Sequence, residues 1–316
     1  AMTDSGTILV AGTTTLDAGS ANDIELNMAS NDFEGAVAVN GAKNVTLVDA
    51  DDITLGDMNV NDLNVTAGGI ISDSGTIRLD GTLTLNAGAG NDIVLDTATN
   101  DFASTVFVMA ANNVTLVNGN TTELGASTVS GNLDVTSGGD ITDTGVLSVT
   151  GTTTLSAAGN NIILDEGSND FTGAVKITNV NDATLADTNA IKLGASTISG
   201  NLDVTAGGAI TDTGKLVVDG TATFTTNTSS NITLDQANNN FKSAVNVVSA
   251  KNVTLVDTNK IELGNISISG KLDVTAGGAI TGNGTLDIGN TTTLDSSGNN
   301  IKLEGTTNDF QVSVSI

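Results

Sequence analysis

The sequence predicts an all-β fold, a right-handed parallel β-helix or β-solenoid, and three observations predict it. One unit recurs every 69 or 70 residues, apolar residues alternate within that unit, and the composition suits thin stacked coils. The chain has 316 residues with 37 Gly and no Pro, Cys, Trp, Tyr or His. Hydrophobic residues make up 38% and aromatic residues 2%. That is too apolar for a disordered acidic tail and too poor in large side chains for a globular core. A coil needs only a few Val, Ile and Leu inside, with Gly and Asn at its corners.

The repeat is marked twice. Asn31-Asp32-Phe33 returns as Asn100-Asp101-Phe102, Asn169-Asp170-Phe171, Asn239-Asn240-Phe241 and Asn308-Asp309-Phe310. A glycine pair keeps step with it at Gly68-Gly69, Gly138-Gly139, Gly207-Gly208 and Gly277-Gly278. Residues 1–316 therefore read as one continuous array of about four and a half units without a linker. The opening Ala1-Met2 reads as a scar of tag removal, so the array is expected to be a fragment of a longer protein.

Strands follow from alternation. In Ile24-Glu25-Leu26, Ile93-Val94-Leu95, Ile162-Ile163-Leu164, Ile232-Thr233-Leu234 and Ile301-Lys302-Leu303 the outer positions stay Ile and Leu while the middle one varies. Such a period of two is a half-buried strand with the Ile and Leu inside. Short runs dense in Gly, Asn and β-branched residues exclude a helix. Within a unit, Val37/Val39, Leu63/Val65, Leu83/Leu85 and Val106/Val108 read as the starts of equivalent strands, with steps of 26, 20 and 23. The 69-residue unit is then three coils averaging about 23 residues, and the chain makes about 14 coils. Gly and Asn are expected at corners because they tolerate positive φ. The lack of Pro fits strands that all donate to a neighbour. Residues 311–316 end inside a strand, a feature that admits end-to-end self-association.

Charge and residue types exclude several functions. The net charge is −26, from 36 acids against 10 bases, with Arg78 the only Arg. That disfavours nucleic acid and anionic lipid, and no run is long enough for a membrane helix. General acid–base and nucleophilic chemistry lack the residues they usually use, so the chain is expected not to be an enzyme and no catalytic residue is assigned. The densest acid cluster, Asp49, Asp51 and Asp52, has Asn118 and Asn120 in its next copy and reads as solvated acids. Gly90-Asn91-Asp92 is similar to the turns of calcium-binding β-rolls, but it comes once per unit and becomes Gly159-Asn160-Asn161 and Gly298-Asn299-Asn300. No cofactor and no metal ligand are assigned; calcium is the one ion that the turn admits. Threonine pairs such as Thr13/Thr15 and Thr82/Thr84 recur too sparsely for an ice-binding lattice. The repeated Phe reads as a corner plug, whereas Phe107, which stands where Ala38, Lys176 and Asn246 stand in other units, is expected to face outward.

The run from Leu202 to Gly214, with Gly220-Thr221, and the Asn169 to Val175 turn resemble repeats of very large bacterial surface proteins, the filamentous-haemagglutinin-like adhesins of two-partner secretion. The resemblance covers essentially the whole chain and implies the stalk region, because that family's secretion domain carries Asn-Pro motifs and this chain has no Pro. It implies a structural stalk of a secreted adhesin or biofilm-matrix protein at the bacterial surface. Two alternatives are a self-assembling extracellular filament or surface layer, and a calcium- or polysaccharide-binding solenoid. A polysaccharide or cell-surface ligand would be bound through regions outside this fragment.

Overall fold

A computed structural model describes all 316 residues as two compact units, Ala1–Ala158 and Gly159–Ile316. Each unit is a parallel β-solenoid without helix, and the strand pairings within each are all parallel. In the first unit one sheet stacks Ile24–Leu26, Val45–Asp49, Leu63–Ala67, Leu83–Asn86 and Thr105–Ala110. The opposite sheet stacks Ile53–Val60, Ile71–Asp73, Ile93–Leu95, Val114–Asn118 and Leu133–Ser137. The second unit repeats the plan, with Ala183–Asp187, Leu202–Ala206 and Ala222–Thr225 on one side and Ile191–Leu193, Ile210–Asp212 and Ile232–Leu234 on the other.

The alternation places the core as expected. Ile162 and Leu164 are fully buried while Ile163 between them is 37% exposed. Rows such as Val45, Leu63, Leu83 and Val106 run coil to coil with almost no exposed surface. Each buried Val, Ile or Leu contributes about 1.5–3 kcal/mol relative to exposure. A stack of short strands can therefore hold together without large side chains.

A coil has one flat side and one bent side. The flat side is a single strand such as Leu63–Ala67; the bent side is a pair such as Ile71–Asp73 and Ile77–Leu79. Ile53–Val60 crosses the bend as one strand: Ile53–Leu55 pairs with Ile71–Asp73, and Met58–Val60 pairs with Ile77–Leu79.

The coil length corrects the expectation of three coils of about 23 residues. Successive partners in one sheet are 18 residues apart at Val45 and Leu63 and 23 apart at Leu83 and Val106. In the second unit, seven successive pairings carry one sheet from Ile162–Leu164 to Ile301–Leu303. The average is thus about 20 residues per coil, and the chain makes about 16 turns rather than 14. Seven coils span two repeats, so one repeat is three and a half coils.

The extra half-coil moves each copy of the repeat to the opposite sheet. Ile24–Leu26 and Ile93–Leu95 are equivalent in sequence, yet they lie in opposite sheets of the first unit. Ile232–Leu234 likewise lies opposite Ile162–Leu164 and Ile301–Leu303 in the second. The step of 26 from Val37 to Leu63 was the misreading, because Val37 pairs with Thr14 and Leu55 in the sheet opposite Leu63. The flat and bent sides exchange within the same stretch. Before Thr105–Ala110 the flat strands are Leu63–Ala67 and Leu83–Asn86; after it they are Val114–Asn118 and Leu133–Ser137, on the other side.

The corner glycines also need a different reason. The pairs at Gly68, Gly138, Gly207 and Gly277 do not have positive φ. A Cβ on Gly68 would instead lie 2.0 Å from the Ala50 carbonyl oxygen of the preceding coil, and one on Gly207 would lie 2.1 Å from that of Thr188. These glycines let backbones of stacked coils touch. Positive φ is confined to Gly19, Gly88, Gly159 and Gly298 among glycines, with Ala158, Asn179 and Ser297.

Candidate functional site

Two recurring features concentrate polar side chains: a tie between coils at each Asn-Asp-Phe turn, and a glycine-floored groove along each bend. In the tie, a buried Asn closes backbone groups of the preceding coil. Asn100 Oδ1 accepts a hydrogen bond from the Ile77 amide at 2.9 Å, and its Nδ2 donates to Asp73 Oδ2 at 2.5 Å. Asn31 does the same with Ile8 and Asp4, and Asn239 with Leu216 and Asp212. In the last copy Gly282 stands at the Asp position, and Asn308 keeps the bond from the Leu286 amide. Asp212 also accepts from the Asp235 and Gln236 amides; burial pushes its carboxyl above the ordinary value.

The Phe of the motif is tied to the following coil. Its side chain is buried in the first four copies, as the plug reading expected. Its amide donates to a buried acid or amide: Phe33 to Asp49 Oδ2 at 2.9 Å, Phe171 to Asp187 Oδ2 at 2.9 Å and Phe241 to Asp257 Oδ2 at 2.7 Å. The other oxygen accepts from the amide two residues on, at Asp51, Asn189 and Asn259. Asp49 is thus not a solvated acid: it is 2% exposed and structural, while Asp51 and Asp52 remain exposed. Burial raises the carboxyls of Asp49, Asp187 and Asp257, against the opposing pull of those amide bonds. In the second copy Asn118 occupies this place, accepting from the Phe102 amide and donating through Nδ2 to the Phe102 and Thr121 carbonyls. The Asp-to-Asn exchange between copies does not mark this position as internal, since exposed Asp51 becomes Asn120 in the same copy.

The Gly90-Asn91-Asp92 turn is engaged in the same kind of work. Asn91 Nδ2 donates to the Ala87 and Gly68 carbonyls. Asp92 Oδ1 accepts from the Asn113 amide and from the side chains of Asn112 and Asn113, and these bonds hold its carboxyl below the ordinary value. No three Asp or Glu side chains converge there or elsewhere in a cluster that could hold a metal.

The groove was missed in sequence. Each bend carries a glycine in two successive coils: Gly56 and Gly75, Gly125 and Gly145, Gly194 and Gly214, Gly264 and Gly284. Their lack of side chains leaves a floor on which the residues of the neighbouring coil lie. Phe107, half-buried rather than free in solvent, lies over Gly125, and Lys176 lies over Gly194. The lining differs in every copy. It is Ala38, Asp57 and Thr76 in the first, Phe107, Ala126 and Val146 in the second, Lys176, Ala195 and Lys215 in the third, and Asn246, Asn265 and Thr285 in the fourth. Within each unit the two grooves belong to opposite sheets, as the half-coil step requires.

One row of the core is imperfect in a regular way. The buried hydroxyls of Thr14, Thr153 and Thr292 have no hydrogen-bond partner, and all three occupy one repeat position, where Leu83 and Ala222 stand in the other copies.

No curated protein and no solved structure matches this chain. A family model matches residues 1–40, 42–108, 111–178, 180–248 and 250–316, nearly the whole sequence in five consecutive segments. The segment ends at 108 and 248 fall in Thr105–Ala110 and Ala244–Ala250, strands where flat and bent sides exchange. The chain belongs to the family that this model describes, repeats of unknown function (DUF5649).

Proposed function

We propose that this chain is a non-catalytic spacer, the stalk region of a large secreted bacterial surface adhesin or biofilm-matrix protein. The observation that carries the reading is where the buried polar groups go. The recurring Asn of the tie and the buried Asp or Asn beside each Phe join one coil to the next, so the conserved chemistry of the repeat is spent on stacking. The acidic surface supports it too, since like charge keeps neighbouring spacers apart and soluble. The adhesin setting is supported by the resemblance of the Leu202–Gly214 and Asn169–Val175 runs to stalk repeats of such proteins.

A spacer must lengthen in proportion to its repeats. Variants with one 69-residue unit deleted or duplicated should change the maximum dimension in small-angle scattering by about 17 Å per unit, three and a half coils at about 4.8 Å. A dimension that does not follow repeat number would refute the spacer reading.

A further inference from the structure

The groove of the fourth copy carries two amide side chains, Asn246 and Asn265, over its glycines, beside apolar wall from Val248. It forms a cavity of about 540 Å³ lined by Thr223, Asn246, Val248, Asn265, Thr285 and Asp287, all within the second unit. That volume is in the range of small-ligand sites. A Cβ on Gly264 would fall 2.0 Å from Asn246 Oδ1, and one on Gly284 would fall 2.3 Å from the Gly264 carbonyl carbon, so only glycine leaves this floor bare.

The two amides are fixed in orientation. Asn246 Oδ1 accepts from the Asn265 amide at 2.8 Å, and Asn265 Oδ1 accepts from the Thr285 amide at 2.9 Å. A backbone N–H can face only the oxygen of an amide, so each Nδ2 is turned away from the ladder as a donor. Successive rungs stand about 4.8 Å apart along the stack. Beside these donors lie the Thr223 and Thr285 hydroxyls, the Asp287 carboxylate as acceptor, and the apolar Val248, 58% exposed. Regularly spaced donors, a carboxylate acceptor and an apolar strip match a chain of hydroxyl groups with intervening C–H faces. The charges here, Asp287 in the lining and Asp309 stacked on it in the next coil, are negative, which selects against an anionic chain.

We propose that this groove is a binding site for a neutral oligosaccharide. The ligand lies along the coil stack, with its hydroxyls on Asn246, Asn265 and Asp287 and a sugar face on Val248. The inference stands apart from the spacer reading, since a spacer without any glycan site would still lengthen with its repeats.

The test is an array of neutral, uronic and sulfated oligosaccharides probed with the full chain, followed by calorimetric titration of the best neutral binder. A groove-swap variant takes the second copy's lining: Asn246→Phe, Asn265→Ala and Thr285→Val. Those residues already occupy the same places over the same glycines in this chain, and an unchanged thermal melt checks that the swap folds. The expected result is retention of neutral glycans and at least a tenfold loss of affinity in the swap. Retention of no neutral glycan, a preference for the anionic ones, or undiminished affinity in the folded swap would each overturn the proposal.

Discussion

The tie and the groove are built from the same repeat, yet copies of the tie are nearly alike and copies of the groove are not. Asn31, Asn100 and Asn239 close the equivalent backbone amide and the equivalent Asp, once in each of these copies. The groove keeps its glycines and changes everything around them, from Phe107 to Lys176 to Asn246. The difference follows from what each would leave exposed or unpaired. Changing the tie orphans buried N–H and carboxylate groups, at about 1–3 kcal/mol each. Changing a groove residue frees at most a backbone amide that water can reach, such as that of Thr285, and substitutions at the surface usually fall within about 0.5 kcal/mol.

The comparison can be broken by mutation. The largest effect is expected at the stacked corners: Gly207→Ala places a methyl against the Thr188 carbonyl and should cost about 3 kcal/mol or more. Gly90→Ala, with nothing within 4 Å of the new carbon, should leave the denaturant midpoint nearly unchanged. Asn239→Ala should follow at about 3 kcal/mol, because it strips the Leu216 amide and Asp212 together. Similar melts for Asn239→Ala and the groove variant Asn265→Ala would erase the distinction between the two regions. Thr292→Val should stabilise by about 1 kcal/mol, since it replaces an unpaired buried hydroxyl by a methyl of the same shape.

The smallest effect is a pH dependence. Burial raises the carboxyl of Asp187, so the folded chain holds that proton more tightly than the unfolded chain does. Its contribution to stability is greatest in acid, below the unfolded value, and is lost as pH rises through the folded one. Asp187→Asn, which copies Asn118, should therefore melt higher than the native chain at neutral pH. The two melts should converge as pH falls into the carboxylate range. A gap that widens in acid would reverse the sign assigned to this residue.

Much of this fold was legible in the sequence, and the gaps have physical causes. The 69-residue period and the inward Ile and Leu of strands such as Ile162–Leu164 could be read directly, because a period of two separates the faces. The half-coil could not. Val37/Val39 and Leu63/Val65 are the same kind of apolar doublet, and alternation says which side of a strand is inside, not which sheet it joins. Asp49 was misread because an acid beside Asp51 and Asp52 looks solvated until the Phe33 amide is brought to it from 16 residues away. The groove escaped because its signal is a glycine pair whose neighbours vary between copies, from Ala38 to Phe107, Lys176 and Asn246.

The central claim is that one repeat is three and a half coils, so equivalent residues of consecutive repeats face opposite ways. Spin labels at Thr223 and Thr293, equivalent positions in opposite sheets of the second unit, test it in one distance. Sheets about 10 Å apart and an axial offset of about 17 Å predict labels more than about 20 Å apart on opposite faces. A distance of about 14 Å, three whole coils along one face, would contradict the account.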